Sequence, residues 1–287
     1  MCWNFDLPVA AVAAGQKLIH DSTFRIHNSN EVQITFLGTG TSQGVPMIGC
    51  HCPVCRSLDY RDKRLRVSVH IQTQGKSLII DSGPDFRQQV LRERIDHLDA
   101  LIFTHEHKDH TAGMDDIRAY NFRQQQDMPV YAEPRVLEQL KREYAYIFAE
   151  NKYPGVPKVQ TMPIVSDTDV FMVEGVTVQP IRALHYKLPV LGFRIGNFTY
   201  ITDANYLSPE SLDLVRGSEV VVLNALRHEQ HISHFSLQEA VDILTELAPR
   251  RGYLTHIGHQ LGRHHDVEAT LPDFVRLAYD GLRVEVA

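Results

Sequence analysis

Between positions 105 and 110 the chain reads His-Glu-His-Lys-Asp-His, four metal-ligating side chains within six residues. The stretch follows an apolar run at 98–104 (LDALIFT) that reads as a buried strand, so the hexapeptide lies where a strand ends and a loop begins. His105 and His107, two apart, can reach one centre from an extended backbone, and Asp109 and His110 can reach a second. Three imidazoles and a carboxylate at this density suit divalent zinc, manganese or iron, which accept nitrogen and hard oxygen donors. A polar surface loop could hold the same residues, but it would need no partners elsewhere in the chain.

Partners are there. The strand-like segment 176–184 runs into His185, 198–202 (FTYIT) into Asp203, and 252–255 (GYLT) into His256. Each time a β-rich segment terminates in a residue able to bind a divalent cation. A second cluster, Cys50-His51-Cys52-Pro53-Val54-Cys55, spaces three thiols as C-x-C-x2-C, a structural zinc half-site lacking one ligand. Three inert thiols in a loop are the other reading. A third group, His228, His231 and His234, follows the apolar strand 220–226. Ser236 and Glu239 form a capping box for the helix beyond, which puts His234 at its mouth. A histidine there can serve as a general acid, worth roughly 10²–10⁴ in rate. His231 is the second choice, and a surface histidine the alternative.

The rest of the chain supplies a frame. Residues 32–37 (VQITFL) alternate as a strand and enter Gly38-Thr-Gly-Thr-Ser-Gln-Gly44, where three glycines permit close backbone approach. The basic stretch 56–66 is a solvated loop or an anion holder. Strands at 67–72 and 77–80 pair across a turn, and the second ends in Asp81. Helices are expected at 84–95, 114–126 and 134–150, with a strand at 129–132. Tyr144, Tyr146, Phe148 and Tyr153 either pack that last helix or form a lid. Strands alternating with helices, with no repeat or low-complexity linker, predict one α/β domain over 31–287 preceded by an N-terminal extension, 1–30.

Composition bounds the partners. A net charge of −6 argues against a broad basic surface, so a long nucleic acid is not an expected partner, whereas bound cations could attract a small anion. No apolar run approaches the roughly 18 residues of a membrane span, and 7–15 (LPVAAVAAG) has no Lys or Arg before it, as a signal peptide would. Four cysteines, three of them bunched, are not a disulfide framework and point to a reducing cytoplasm. The oligomeric state stays open, a homodimer included.

HEHKDH resembles the HxHxDH signature of the metallo-β-lactamase superfamily. That resemblance implies an αβ/βα four-layer sandwich with a dinuclear site along one edge. It implies that His105, His107 and His185 hold one divalent ion and Asp109, His110 and His256 the other. Asp203 bridges them, with a hydroxide between, and Asp81 orients the metal loop by hydrogen bonding. Two cations roughly 3.5–4 Å apart can stabilise an in-line displacement at phosphorus. More narrowly, GTGTSQGVPMIGCHCPVC, THEHKDH, SHFSL and THIGHQ resemble PhnP-like cyclic phosphodiesterases. This implies two zinc or manganese ions in the active site and one structural zinc on Cys50, Cys52, Cys55 and His259. It also implies a small phosphodiester or nucleotide substrate, with His234 as general acid and Asp109 and Asp203 in the catalytic centre. An RNA-processing nuclease, a thioesterase, a protein of the pyrroloquinoline-quinone biosynthesis B type and a non-catalytic metal scaffold are the alternatives.

Overall fold

Period-two alternation along the strands builds two apolar faces per sheet, and both are covered. The computed structural model describes residues 31–287; the expected 1–30 extension lies outside the described residues. In β1 (Val32–Gly38), Ile34 and Phe36 enter a central core while Leu37 turns to the opposite face. The hairpin β2 (Ser68–Thr73) and β3 (Lys76–Ile80) and the strand β4 (Ala100–Ile102) repeat the pattern: Leu78, Ile80 and Ile102 point to the centre, Ile79 and Leu101 outward. The turn between β2 and β3 uses Gln74 and Gly75, both at positive φ, which matches the twist of the flanking strands. β5 (Met128–Ala132) and β6 (Val159–Pro163) extend this sheet.

The second sheet is made of β7 (Phe171–Val173), β8 (Val176–His185), β9 (Leu188–Ile195), β10 (Phe198–Tyr200), β11 (Tyr206–Leu207), β12 (Val220–Asn224), β13 (Arg251–Thr255) and β14 (Val275–Leu277). The last strand, β15 (Arg283–Val286), returns to the first sheet beside β1. Strand order is β15-β1-β2-β3-β4-β5-β6 in one sheet and β11-β8-β9-β10-β12-β13-β14 in the other, with β7 paired to β8. Each sheet is antiparallel on one side and parallel on the other, the parallel parts being β3 to β6 and β10 to β14.

Val178, Leu191, Phe193, Tyr200, Val220 and Val222 of the second sheet meet the inner face of the first in one core. Helices Phe86–Glu93, Arg118–Gln124 and Pro134–Glu143 cover the outer face of the first sheet, and Pro209–Val215 and Leu237–Leu247 that of the second. This is the αβ/βα four-layer sandwich. Its parallel strands all end on one edge, where open α/β sheets place their ligands.

Several expected elements are shorter or divided. The helix expected at 134–150 is two, Pro134–Glu143 and Ala145–Phe148, broken at Tyr144 (φ −109°, ψ 41°). Tyr144 is buried and its hydroxyl donates to the Thr111 carbonyl at 2.8 Å, so it packs the fold and is not a lid. The helix expected at 114–126 begins as a 3-10 turn, Met114–Ile117, before Arg118–Gln124.

Candidate active site

The candidate ligands, and Asp81 beneath them, sit where strands stop, and several turn there by leaving the ordinary backbone regions. Asp81 (φ 65°), Asp203 (φ 56°) and His256 (φ 54°) all adopt the left-handed conformation immediately or shortly after β3, β10 and β13. That conformation costs a non-glycine residue roughly 1–2 kcal/mol. Side chains are retained in it where the surrounding structure demands it, most often at functional sites. The turn after Asp203 is fixed by Asn224, whose side chain accepts from the Ala204 amide at 2.7 Å and donates to the Ala204 carbonyl at 2.9 Å. Nothing but a polar residue closing an apolar strand, VVVLN, signals Asn224 in the sequence.

The loop carrying His105–His110 is held from below by backbone contact. Ser82 donates its amide to the His110 carbonyl at 2.8 Å and accepts from Gly113 at 2.8 Å. A Cβ on Gly83 would lie 2.0 Å from the Asp109 carbonyl oxygen, and one on Gly113 would lie 2.1 Å from the Gly83 oxygen. Glycine is therefore required at both positions for the two loops to touch. Asp81, fully buried, accepts from the Thr104 amide (2.9 Å), the Thr104 hydroxyl (2.9 Å) and His110 Nδ1 (2.7 Å). These contacts tie the loop to the end of β3, the place the resemblance gives Asp81.

Of the residues expected as ligands, Asp109, His110, Asp203 and His256 each offer an atom within 4.8 Å of the others. The second such group is His185, Asp203 and His234, which holds the expected acid His234 and leaves out His105 and His107. Asp203 belongs to both. Its Oδ2 lies 3.2 Å from His110 Nε2, and its Oδ1 lies 3.1 Å from His256 Nε2 and 3.8 Å from His234 Nδ1. The His105 ring is centred 4.6 Å from His107 and 5.8 Å from His185, and the His107 and His185 rings are 5.1 Å apart. His185 Nδ1 faces the Ser233 carbonyl at 2.7 Å, which leaves Nε2 free to bind. His231 lies beside His234, ring centres 5.2 Å apart, and His228 is exposed outside the cluster.

Charge is concentrated here. Burial pulls the His110 imidazole down, but the carboxylates of Asp203, Asp109 and Asp81 outweigh it and hold His110 well above its ordinary value. Burial raises Asp203, yet His256 and His110 bring it well below the usual carboxylate range, and His110 does the same for Asp109. Burial and the neighbouring His256 lower His234 to about 3 against the pull of Asp203.

The donor set fits divalent ions. His105 Nε2, His110 Nε2, both His256 nitrogens and His234 Nδ1 are buried without a hydrogen-bond partner among the described residues. Buried polar atoms ordinarily have partners, and imidazole and carboxylate atoms facing one point are the ligands zinc and manganese use.

Three positions beyond His256 in the chain, His259 has its Nδ1 3.5 Å and 3.3 Å from Cys50 and Cys52 Sγ. Together with Cys55 these atoms fall within 4.8 Å of one another. Burial raises the Cys52 thiol, but the Cys55 amide and His259 more than offset it and bring it down to about 6, the thiolate form a metal needs. Next to it, the loop 39–44 runs alongside Ile257 through Thr41 N to Ile257 O (3.2 Å) and Ile257 N to Thr39 O (2.9 Å). A Cβ on Gly38 would lie 1.9 Å from the Arg66 oxygen, so this glycine serves close backbone packing and not a phosphate cradle.

Most of the cations in 56–66 are engaged within the protein. Arg61 pairs with Asp59 and Arg66 with Asp85. Arg64 is buried and donates to Thr39 Oγ1 (2.8 Å) and the Ala278 carbonyl (2.6 Å).

Residues 76–257 match the family model described as the beta-lactamase superfamily domain. A structure described as a new diphosphatase from the PhnP family shares 37% identity with a TM-score of 0.83, covering 89% of this chain and 97% of that one. An octanoyltransferase of Porphyromonas gingivalis is 40% identical over 248 residues, 86% of this chain and 50% of that protein. Zn(2+)-bound PqqB from Methylobacterium extorquens has a TM-score of 0.71 at 17% identity, covering 88% of this chain and all of that one, which shows the shared fold. The chain spans about half or less of the length of the curated relatives it matches. It belongs to the metallo-β-lactamase superfamily, a class of metal-dependent hydrolases. Within that class it is PhnP-like. Among the described residues no helix is long and apolar enough to cross a membrane.

Proposed function

We propose that the chain hydrolyses small phosphodiesters, diphosphate linkages included, with His234 as general acid. The observation that carries this reading is the position of Asp203, whose two carboxylate oxygens face His110 on one side and His256 and His234 on the other. His105, His107, His185 and Asp203 would hold one divalent ion, and Asp109, His110, His256 and Asp203 the second. When bound, two such ions would neutralise the phosphoryl oxygens and acidify a water towards neutrality.

The chain's own residues do the rest. Asp81 holds His110 through Nδ1 and so turns Nε2 to the cleft, where a bound cation would take the place of its proton. Ser233 does the same for His185. His234 is nearly buried beside Asp203, within reach of a leaving oxygen in the cleft. Its lowered value means that the ring must take its second proton from water as the substrate binds, because an anionic phosphoryl group beside it favours the imidazolium form. The diphosphatase description of the PhnP-family structure supports attack at phosphorus; the octanoyltransferase description of the Porphyromonas relative, of which this chain spans half, makes an octanoyl compound the competing substrate. Reading Cys50, Cys52, Cys55 and His259 as a structural zinc site is part of the same proposal.

The test is a substrate comparison with the full chain loaded with zinc or manganese. It would be offered bis-p-nitrophenyl phosphate, a 2′,3′-cyclic nucleotide, a nucleoside diphosphate ester and an octanoyl thioester. Turnover of at least one phosphorus substrate well above the thioester is expected. Thioester cleavage with no diester or diphosphate turnover would refute the proposal.

A further inference from the structure

One residue outside the ligand set joins the two halves of the cleft. Arg135, at the start of helix Pro134–Glu143, donates from Nη1 to Glu106 and from Nη2 to the Pro189 carbonyl. Glu106 lies between His105 and His107, and Pro189 lies in the hairpin that carries His185, paired across it with Leu184. Arg135 Nη2 also donates to Glu133 at 3.2 Å. Glu133 in turn accepts from Arg182 on β8 at 2.6 Å and 3.2 Å, and Arg182 donates to Asp167 at 2.9 Å. A continuous ladder of charges thus runs from the His105–His110 loop of one sheet to the strand ending in His185 of the other.

His107 is the residue that most needs such a tie. The other three histidines of these two segments have a partner on the ring: His105 at Thr104 Oγ1 (3.0 Å), His110 at Asp81 and His185 at Ser233. His107 is exposed, and among the described residues its ring makes no hydrogen bond. Its placement therefore comes from its backbone, and the anchored neighbour is Glu106.

We propose that Arg135 is a positioning residue: by gripping Glu106 and Pro189 together it sets the spacing of His105, His107 and His185, and so the affinity for the cation they share. The inference rests on the ligand reading above. Outer partners of metal ligands typically contribute 10–100-fold in affinity. Arg suits the task because its planar fork satisfies several acceptors at fixed geometry, which a lysine ammonium cannot reproduce.

The experiment measures zinc content and stepwise zinc affinity of the full chain by chelator competition, for the wild type, Arg135→Met, Arg135→Lys and Glu106→Gln. Thermal melting runs alongside. The expected result is that Arg135→Met and Glu106→Gln weaken one cleft zinc by roughly 10–100-fold and spare the second cleft zinc and the cysteine-site zinc. Arg135→Lys should fall between. Equal affinities in wild type and variants would overturn the proposal alone. So would parallel loss of all three zincs with the fold in both Met and Gln variants, since Arg135 would then serve stability only. A wild type that takes no zinc in the cleft overturns the ligand reading, and this proposal with it.

Discussion

Asp81→Asn is the most informative single change, because it alters one atom at the base of the cleft. Three donors converge on the Asp81 carboxylate, all of them buried: the Thr104 amide on Oδ1, and the Thr104 hydroxyl and His110 Nδ1 on Oδ2. An asparagine can keep its oxygen on the Thr104 amide only by turning its NH2 towards Thr104 Oγ1 and His110 Nδ1. His110 Nδ1 must then accept, and the ring proton moves to Nε2, which lies 3.3 Å from Asp109 and 3.2 Å from Asp203. That proton occupies the ligand position. The opposite rotamer sets NH2 against the Thr104 N–H, a buried donor–donor mismatch costing about 1–3 kcal/mol.

The first arrangement, which keeps the Thr104 amide bond and avoids the mismatch, is the one expected. Its loss is ~1.4–2.8 kcal/mol in cation binding, or 10–100-fold in zinc affinity at one cleft position, whereas the second would lower folding stability instead. Chelator competition on purified Asp81→Asn, with a denaturant titration of the metal-free form, separates binding from folding. The cysteine-site zinc should be untouched. Wild-type affinity at both cleft positions would refute the claim that the Asp81 bond fixes the His110 tautomer.

His234→Ala should keep both cleft cations and the wild-type melting temperature while kcat for a diester with a poor leaving group drops roughly 10²–10⁴-fold; unchanged kcat removes it as the acid. Cys52→Ser should lower the zinc content by one per chain and reduce stability, because metal held on a folded-state site adds to folding free energy; no zinc beyond the cleft pair in the wild type would refute that site. His70, outside the proposed ligand set, supplies a pH prediction. Burial and the nearby Arg283 lower it from 6.5 to about 4 while Nε2 hydrogen-bonds Ser77 Oγ at 2.8 Å. The unfolded chain therefore takes up a proton that the folded protein refuses between these values, so stability is lost as pH falls from about 6.5 towards 4. His70→Gln should flatten the dependence of unfolding free energy on pH by ~1.4 kcal/mol per pH unit in that window, measured by urea titration; an unchanged slope contradicts it.

The candidate ligands were legible because each closes an apolar run, so strand patterning and metal-binding side chains coincide at His105, His185, Asp203 and His256. What escaped the sequence depends on contacts between distant segments. Arg64 reads as one more solvated cation in a basic loop, yet its acceptors Thr39 and Ala278 bury it, and Ala278 lies 214 positions away. Gly83 and Gly113 look like ordinary turn residues until the backbones of two loops are seen to touch. β6 hid because its five residues alternate weakly and none is fully buried. β14 and β15 are short apolar–polar stretches whose pairing only the closed sandwich supplies. Arg135 carries no motif; its role rests on Glu106, Glu133 and Pro189 meeting around it.

The central claim is that seven side chains share two cations through one carboxylate. Anomalous diffraction at the zinc edge from crystals of the zinc-loaded chain tests it directly. Two peaks roughly 3.5–4 Å apart, on either side of the Asp203 carboxylate, with a third among Cys50, Cys52, Cys55 and His259, are the predicted result. A cleft with no anomalous signal, or Asp203 and His256 turned out of it in the loaded protein, would contradict the account.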